Sequence, residues 1–387
     1  MAQSRLEKVE KYVLSIIEDR RQSWDGRLVG ALLNQLSWAF GLVVQARLRL
    51  YDWGVLRRHV PGIQVISVGN LTVGGTGKTP VVEVFARSLQ QKGRKVAILS
   101  RGYKRVKPPF LERMGRAITF RKQSTPPLVV SDGRSLLLDS AMSGDEPYML
   151  ATNLPEVAVL VDKDRVKSSK YAINKLGCDT LILDDGFQYM KLQNRLNIAL
   201  VDRTNPFGNR RMLPRGILRE PVRNLKRAGY IFITKSNGSG SGELKTRLRE
   251  LNPHAEISEC RHCPRYLQNV YTRERITLDF LDGLKIGTVS GIAAPDGFEQ
   301  ELTRRGAELL HTVRYADHHR YSQQEIIEAI NASLEAGADA LITTEKDAVR
   351  FPFVERRDLP IYFLRVEIEM ISGAEAFEDW ISRICFR

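Results

Sequence analysis

The sequence predicts an α/β protein of two domains, preceded by an apolar N-terminal helix. Three observations predict it. An apolar run, Val65 to Val68, ends in a glycine-rich loop and then enters a helix-forming segment. Downstream, short β-rich runs alternate with helical patterns, the signature of parallel strands joined by crossover helices. Near the N-terminus, the stretch Leu28 to Ala46 is markedly apolar and has cations crowding both of its ends.

That N-terminal stretch carries Leu28, Leu32, Leu36, Trp38, Phe40, Leu42 and Val43, with Asn34, Gln35, Ser37 and Gln45 among them. A spanning helix needs about twenty predominantly apolar residues, so the polar interruptions make this one borderline. No small-residue cleavage site follows it, which argues against a signal peptide. Arg20, Arg21 and Arg27 precede it and Arg47, Arg49, Arg57 and Arg58 follow. The pattern suits a helix lying in a bilayer interface, its basic residues on anionic headgroups and Trp38 or Trp53 at the boundary. A helix packed on the protein's own body would show the same amphipathic pattern.

The loop after the first strand reads Gly74-Gly75-Thr76-Gly77-Lys78-Thr79-Pro80. This is the layout of a P-loop, in which backbone N–H groups and a helix N-terminus cradle a polyphosphate. Lys78 would reach the β- and γ-phosphates and the Thr79 hydroxyl would sit on Mg²⁺. The strict pattern wants glycine where this chain has Thr72. Pro80 is tolerated in the first helical turn, and Val82, Phe85 and Leu89 repeat at core-facing intervals before Gly93 stops the helix.

Further strands are predicted at Lys95–Ser100, Glu156–Leu160, Thr180–Leu183, Asn197–Val201 and Tyr230–Thr234. The fourth strand-like run ahead of Asp184-Asp185-Gly186 puts two carboxylates at a strand's C-terminal rim, where an acid is needed to hold Mg²⁺ or its water. A glycine- and serine-rich loop follows at 236–242, then β-like pieces at Asn269–Tyr271 and Arg275–Leu278 that suit a hairpin linker. A second alternating set occupies Lys285–Ser290, Leu309–Val313, Ala340–Thr344 and Ile361–Leu364, with helices near 297–306 and 322–336. The resulting division is an N-terminal membrane-associated region over 1–58, a P-loop domain over 59–255, a linker over 256–283 and a smaller α/β domain over 284–387.

At 387 residues the chain can bury two cores, and its net charge of +14 suits an anionic partner. Charge alone does not choose between nucleic acid, a phospholipid surface and a phosphorylated substrate. The cysteines, Cys178, Cys260, Cys263 and Cys385, are too few and scattered for a disulfide framework. Cys260 and Cys263 lack the second pair that a zinc site would need. The residue before Gly74 is Val73, where partition-type ATPases carry a lysine, and Thr234-Lys235-Ser236-Asn237 lacks the aspartate with which GTPases read guanine. Both absences favour an ATP-dependent small-molecule kinase.

The loop, with Val68-Gly69-Asn70-Leu71-Thr72 ahead of it, resembles that of the tetraacyldisaccharide 4′-kinases, the lipid A kinases of Gram-negative bacteria. Further segments match in order: Ser100-Arg101-Gly102-Tyr103, Gly144-Asp145-Glu146-Pro147, Asp184-Asp185-Gly186-Phe187-Gln188 and Phe207-Gly208-Asn209. Leu213-Pro214-Arg215-Gly216, Leu218-Arg219-Glu220, Ala316-Asp317-His318 and Thr344-Glu345-Lys346-Asp347-Ala348-Val349 continue the series. The resemblance implies transfer of the γ-phosphoryl of ATP, with Mg²⁺, to the 4′-hydroxyl of a tetraacylated disaccharide 1-phosphate, giving lipid IVA. It implies Gly74, Gly75, Thr76, Gly77, Lys78 and Thr79 around the nucleotide, Thr79, Asp184, Asp185 and Glu220 around the metal, and Arg101, Tyr103, Arg215 and Arg219 on the acceptor. Asp145 is implied as the base and His318 as its partner, with Lys78 the third catalytic group. The residues alone also allow Asp145 as a helix N-cap and His318 as a hydrogen-bonded loop histidine.

A monomer at the cytoplasmic face of the inner membrane, acting on a lipid A disaccharide precursor and on no nucleic acid, completes the expectation. Closure about a hinge near residues 255–283 is expected to bring His318 to Asp145. One departure stands out: the family usually has His after Asp-Asp-Gly-x-Gln, and this chain has Tyr189, which will not act as an imidazole near neutral pH. The stretch 104–142 is divergent and basic, and nothing is carried onto it.

Overall fold

The computed structural model describes residues 12, 15–17, 23–102, 126–193 and 195–385. In chain order these form α1 (Trp24–Asp52), β1 (Gln64–Asn70), α2 (Lys78–Gln91), β2 (Val96–Ser100), β3 (Leu128–Asp132), α3 (Ser140–Ser143), α4 (Asp145–Asn153), β4 (Ala158–Val161), α5 (Arg165–Asn174) and β5 (Thr180–Asp184). They continue as β6 (Arg195–Asp202), β7 (Tyr230–Thr234), α6 (Gly242–Leu251), β8 (Glu256–Asn269), β9 (Arg275–Ile276), β10 (Lys285–Ser290), α7 (Pro295–Arg304) and β11 (Glu308–Arg314). The last elements are α8 (Gln323–Glu335), β12 (Ala340–Thr344), α9 (Glu345–Ala348), β13 (Ile361–Ser372) and α10 (Ala374–Cys385). The sequence-predicted strands agree with these to within a few residues at either end, with three exceptions: β3 falls in a stretch for which none was expected, β8 fills Glu256–Asn269 where only a short piece at Asn269–Tyr271 was expected, and β13 runs well beyond Leu364.

The elements gather into two compact units. The first comprises 1–101, 162–261 and 370–387, and the second 102–161 and 262–369. The expected run 59–255 is thus interrupted, because the segment carrying Asp145 groups with residues 262–369.

In the first unit β2, β5, β1, β6, β7 and the start of β8 lie side by side, every pair parallel. Strands buried on both faces read as continuous apolar runs, and β1, β2, β5 and β7 are buried almost throughout. Phe85 of α2 and Tyr230 and Phe232 of β7 meet Phe377 and Trp380 of α10 edge to face or stacked, at centroid distances of 4.9–6.5 Å. This aromatic cluster returns the C-terminal helix to the first unit. β1 sits between β5 and β6, so its C-terminal end and that of β5 open at the same rim, the place where parallel sheets bind ligands. The approach there is close. A side chain at Gly69 would meet the Phe187 Cβ at 2.8 Å, and one at Gly186 would meet the Leu183 Cβ at 2.5 Å.

α1 rests on this unit through its small and polar face. Ser37 Oγ donates to the Met212 carbonyl at 2.6 Å, and Arg211 donates to Asn34 Oδ1 at 2.8 Å. Its other face holds Trp24, Leu28, Leu32 and Leu36 at four-residue spacing, together with Trp38, Leu42 and Val43, all exposed. The helix is long and apolar enough to cross a membrane by length and composition. An exposed apolar stripe of this extent marks an interaction surface.

In the second unit β11, β10, β12 and β13 are parallel neighbours. Val289, Ile326, Ile330, Leu341, Ile361 and Phe363 fill one side and Leu267, Ile286, Leu302, Ile342 and Leu364 the other. The end of β8 pairs antiparallel with β9, Leu267 against Ile276, forming the anticipated hairpin. β3 and β4 pair antiparallel. α8 opens on a full capping box: the Ser322 hydroxyl accepts from the Glu325 amide, and the Glu325 carboxylate accepts from the Ser322 amide.

Candidate active site

The phosphate loop follows from the register of β1. After Asn70 the chain leaves the sheet, Val73 is held by its amide to the Ile217 carbonyl at 2.8 Å, and 73–75 are exposed. Gly77 caps α2 with φ +74, a left-handed conformation that suits glycine and aims the first α2 amides outward. Added side chains at Gly74 and Gly75 would meet nothing within 4 Å, so the loop leaves room above its backbone. The Thr76 hydroxyl is buried with no hydrogen-bond partner among the described residues, while its carbonyl accepts from Thr234 Oγ1 at 3.0 Å. A buried hydroxyl left open beside a helix N-terminus fits a polyphosphate.

Lys78 points back across the loop. Its Nζ is 3.5 Å from Asn70 Oδ1 and 3.7 Å from the Asp185 carboxylate. Asp184 and Asp185 stand at the end of β5. Asp184 Oδ2 accepts from Ser100 Oγ at 3.0 Å, and Asp185 adopts φ +51 as the chain turns off the strand. Burial pushes the Asp185 carboxyl up, but Lys78 and Arg219 outweigh it and hold it below the usual carboxylate range. Arg219 contacts both Asp185 oxygens at 3.0 and 2.9 Å, the Thr72 carbonyl at 3.0 Å and Asn70 Oδ1 at 3.0 Å. It therefore braces the phosphate loop against the acidic turn.

Thr79, whose side chain is buried at the start of α2, and Asp184 are the residues that could hold a divalent cation. Hydroxyl and carboxylate oxygens are the ligands a hard cation takes, and Mg²⁺ relies on substrate phosphates for the rest. Asp185 is already engaged by two cations. Among the described residues no cluster of three His, Cys, Asp or Glu forms an all-protein metal cage.

Other implied residues lie elsewhere. Glu220 is buried and its Oε2 accepts from Asn224 and Arg227, each at 2.7 Å, which makes it an anchor for the following 3₁₀ turn. Arg215 is buried beneath α1, donating to the Ile16 carbonyl at 2.9 Å while its amide donates to Ser37 Oγ. Arg101 is exposed just beyond β2. Tyr103 lies outside the described residues.

Tyr189 has a definite place. Its hydroxyl donates to Asp164 Oδ1 at 3.2 Å and accepts from the Val166 amide, and its ring lies 5.1 Å from the Arg165 guanidinium. Arg165 in turn donates to the Asp184 carbonyl at 3.2 Å. Burial and the nearby Asp164 push the phenol up to about 12, so it stays protonated and acts as a prop for Arg165.

The second unit holds Asp145 and His318. α4 begins at Asp145, immediately after Gly144 at φ +95. His318 sits in a turn at φ +66 with its amide on the Gly291 carbonyl. His318 Nδ1 is 3.1 Å from Asp145 Oδ2, and His318 Nε2 is 3.4 Å from Lys346 Nζ. An ammonium can only donate, so Nε2 accepts and Nδ1 carries the proton directed at the carboxylate. The two residues meet within one unit, so the closure expected to join them is not needed for that contact. α3 and α4 are braced to the two ends of α9: Ser140 Oγ of α3 donates to the Val349 carbonyl at 2.6 Å, just past its end, and Asn153 Nδ2 of α4 to Glu345 Oε1 at 2.6 Å, at its start. Burial pushes the Asp145 carboxyl up, but the His318 hydrogen bond and the charges of Arg350 and Arg320 hold it below its ordinary value. Its Oδ1 is buried, stands 3.6 Å from Arg320 Nη2 in an ion pair, and makes no hydrogen bond among the described residues. Arg350, buried with its Nε 3.2 Å from Asp145 Oδ2, carries no signal in the sequence, where it is a lone arginine after Ala348-Val349.

Comparison with known proteins identifies the family. The sequence profile of the family described as "Tetraacyldisaccharide-1-P 4'-kinase" matches residues 29–385. A tetraacyldisaccharide 4′-kinase of Halothermothrix orenii is 32% identical over 388 residues, covering 96% of this chain and 97% of the relative. That of Geobacter metallireducens is 38% identical over 348 residues, covering 89% and 96%. The crystal structure of the "apo" form of LpxK from Aquifex aeolicus in complex with ATP superposes with a TM-score of 0.71 at 28% identity, covering 92% of this chain and all of that one. With a family profile over nearly the whole length and relatives of matching extent, the chain belongs to the tetraacyldisaccharide-1-P 4′-kinase family.

Proposed function

We propose that the protein transfers the γ-phosphoryl group of ATP to the 4′-hydroxyl of tetraacyldisaccharide 1-phosphate, giving lipid IVA in lipid A biosynthesis. The observation that carries the reading is the Asp145–His318 pair, in which one carboxylate oxygen is held and the other is buried without a hydrogen bond. An oxygen so left can accept the proton of an acceptor hydroxyl. The loop amides and Lys78 bind and orient the donor phosphates, and Thr76 Oγ1 adds a donor beside them. Thr79 and Asp184 would hold Mg²⁺, which when bound supplies charge neutralisation on the phosphates. Asp185 holds Lys78 and Arg219 in place and releases Lys78 to the nucleotide.

His318 keeps Asp145 ionised and oriented by donating its Nδ1–H to Oδ2, while Oδ1 takes the proton of the hydroxyl. Arg101 and Tyr103 are proposed on the acceptor. Arg215, Arg219 and Glu220 support the reading as braces of the fold around the donor site rather than as ligands. The exposed face of α1 suits the surface of a bilayer that holds the lipid acceptor, with the net positive charge facing anionic headgroups. We place the protein, as a monomer, at the cytoplasmic face of the inner membrane.

The test is transfer from γ-labelled ATP, with Mg²⁺, to tetraacyldisaccharide 1-phosphate in detergent micelles, beside Lys78→Ala and beside double-stranded DNA without lipid. Labelled lipid IVA from the unaltered protein alone is expected. ATP hydrolysis that needs DNA, with no labelled lipid, would refute the reading in favour of a nucleic-acid-associated ATPase.

A further inference from the structure

Behind the Asp145–His318 pair lies a guanidinium that nothing above requires. The Arg350 side chain is fully buried. Its Nε stands 3.2 Å from Asp145 Oδ2, the oxygen that also meets His318, and donates to the Lys346 carbonyl at 3.0 Å. Its Nη1 donates to the carbonyls of His319 at 3.0 Å and Gly291 at 3.3 Å, and stands 3.3 Å from Asp347 Oδ1. Gly291 also receives the His318 amide. One side chain therefore ties the carboxylate to the main chain on both sides of His318.

Asp347 fixes the guanidinium in turn. It is wholly buried, accepting from Tyr321 Oη at 2.9 Å, from Thr344 Oγ1 at 2.6 Å and from the Gly291 amide at 3.1 Å. Burial and Asp347 push the Tyr321 phenol up, so it remains a donor. A side chain at Gly291 would strike Tyr321 Oη at 2.8 Å, so the turn can be this tight only with glycine there. A planar fork with several fixed partners sets a carboxylate's rotation in a way that an ammonium does not.

We propose that Arg350 is a positioning residue for the phosphoryl-transfer reaction: it locks Asp145 through Oδ2, so that Oδ1 alone faces the acceptor hydroxyl, and holds His318 in register with it. The inference rests on the kinase reading above and adds a residue to it. The charged groups facing Asp145 are His318, Arg320 and Arg350, with Lys346, Asp317, Glu146 and Asp347 one contact further out. Loss of Arg350 removes a cation at contact distance and leaves Asp347 with hydroxyl and amide partners.

The experiment compares Arg350→Lys, Arg350→Gln and Asp145→Ala with the unaltered full-length protein, reading kcat, KM for ATP, the pH profile of kcat/KM and thermal unfolding. Arg350→Lys keeps the charge and loses the fork. It is expected to lower kcat about tenfold, with KM for ATP within twofold and the acid limb unmoved. Arg350→Gln is expected to lower kcat further and to move the acid limb upward by about one pH unit. Wild-type kcat in a folded Arg350→Lys, or a loss confined to KM for ATP, would overturn the inference. Should Arg350→Gln not fold, Arg350→Lys decides alone. Wild-type turnover in Asp145→Ala would instead remove the dyad itself, which separates failure of the kinase reading from failure of the Arg350 assignment.

Discussion

Asp145 shows how one residue's role is set by what surrounds it. As the first residue of α4 it could serve as a cap, yet its carboxylate turns away to His318 and Arg350. Its depressed protonation has a definite sign for stability. A carboxyl held below its unfolded value stabilises the fold above the ordinary carboxylate range, about pH 4, and loses that contribution as pH falls through its folded value. Asp185, held down by Lys78 and Arg219, adds in the same sense. Acid unfolding of Asp145→Asn is therefore expected to begin from lower stability at neutral pH and to depend less steeply on pH below 4, as read by urea titration at stepped pH. Tyr189 makes a second residue-scale prediction. Tyr189→Phe removes the bond to Asp164 but keeps the ring under Arg165, so turnover should stay within about threefold of the unaltered protein. Tyr189→Ala removes the prop and should lower kcat at least tenfold through Asp184. Equal activities for the two would contradict the propping role. None of this was legible from the residue types: the sequence showed only that the phenol could not replace an imidazole.

At the scale of elements, the sequence spoke most clearly where local chemistry and burial agree. The β1-loop-α2 unit was readable because strand, glycines and helix all point to one geometry, and β7 and β10 because runs buried on both faces are apolar throughout. β3 was hidden by its polar neighbours and by its place beside β4, where β3 itself is only partly buried. The capping box at Ser322 was not singled out, although Ser322 and Glu325 carry its spacing; Ser322→Ala should cost about 1 kcal/mol in denaturant unfolding. For α1 the apolar stretch was legible, but not which face it shows. Gly30, Ser37 and Gly41 turn towards the 209–216 loop, and Leu32 and Leu36 away from it. Leu32→Glu with Leu36→Glu is expected to weaken sedimentation with anionic phospholipid vesicles at least tenfold, since each exposed leucine contributes roughly 1.5–3 kcal/mol when buried in an apolar phase. ATP affinity should be unchanged. Undiminished vesicle binding would remove this face from the account.

For the whole molecule, the division of labour follows the two compact units. One carries the phosphate loop, the acidic turn and α1; the other carries Asp145, His318 and the arginine behind them. A sequence read from end to end suggests contiguous domains, and it could not reveal that 102–161 packs with residues beyond 261, because such contacts join segments far apart in the chain. The family motifs nevertheless identified Asp145 and His318 as partners before their distance was known. They did not reveal the buried partners that Glu220 and Arg215 have within the fold. The central claim is that nucleotide binding and proton acceptance reside in different residues and can be lost separately. The direct measurement is ATP affinity and transfer rate for Lys78→Ala and Asp145→Ala side by side. The account predicts that Lys78→Ala loses both, while Asp145→Ala binds ATP as the unaltered protein does and loses at least a hundredfold in turnover. An Asp145→Ala protein that transfers phosphate at the unaltered rate, or that fails to bind ATP, would contradict it.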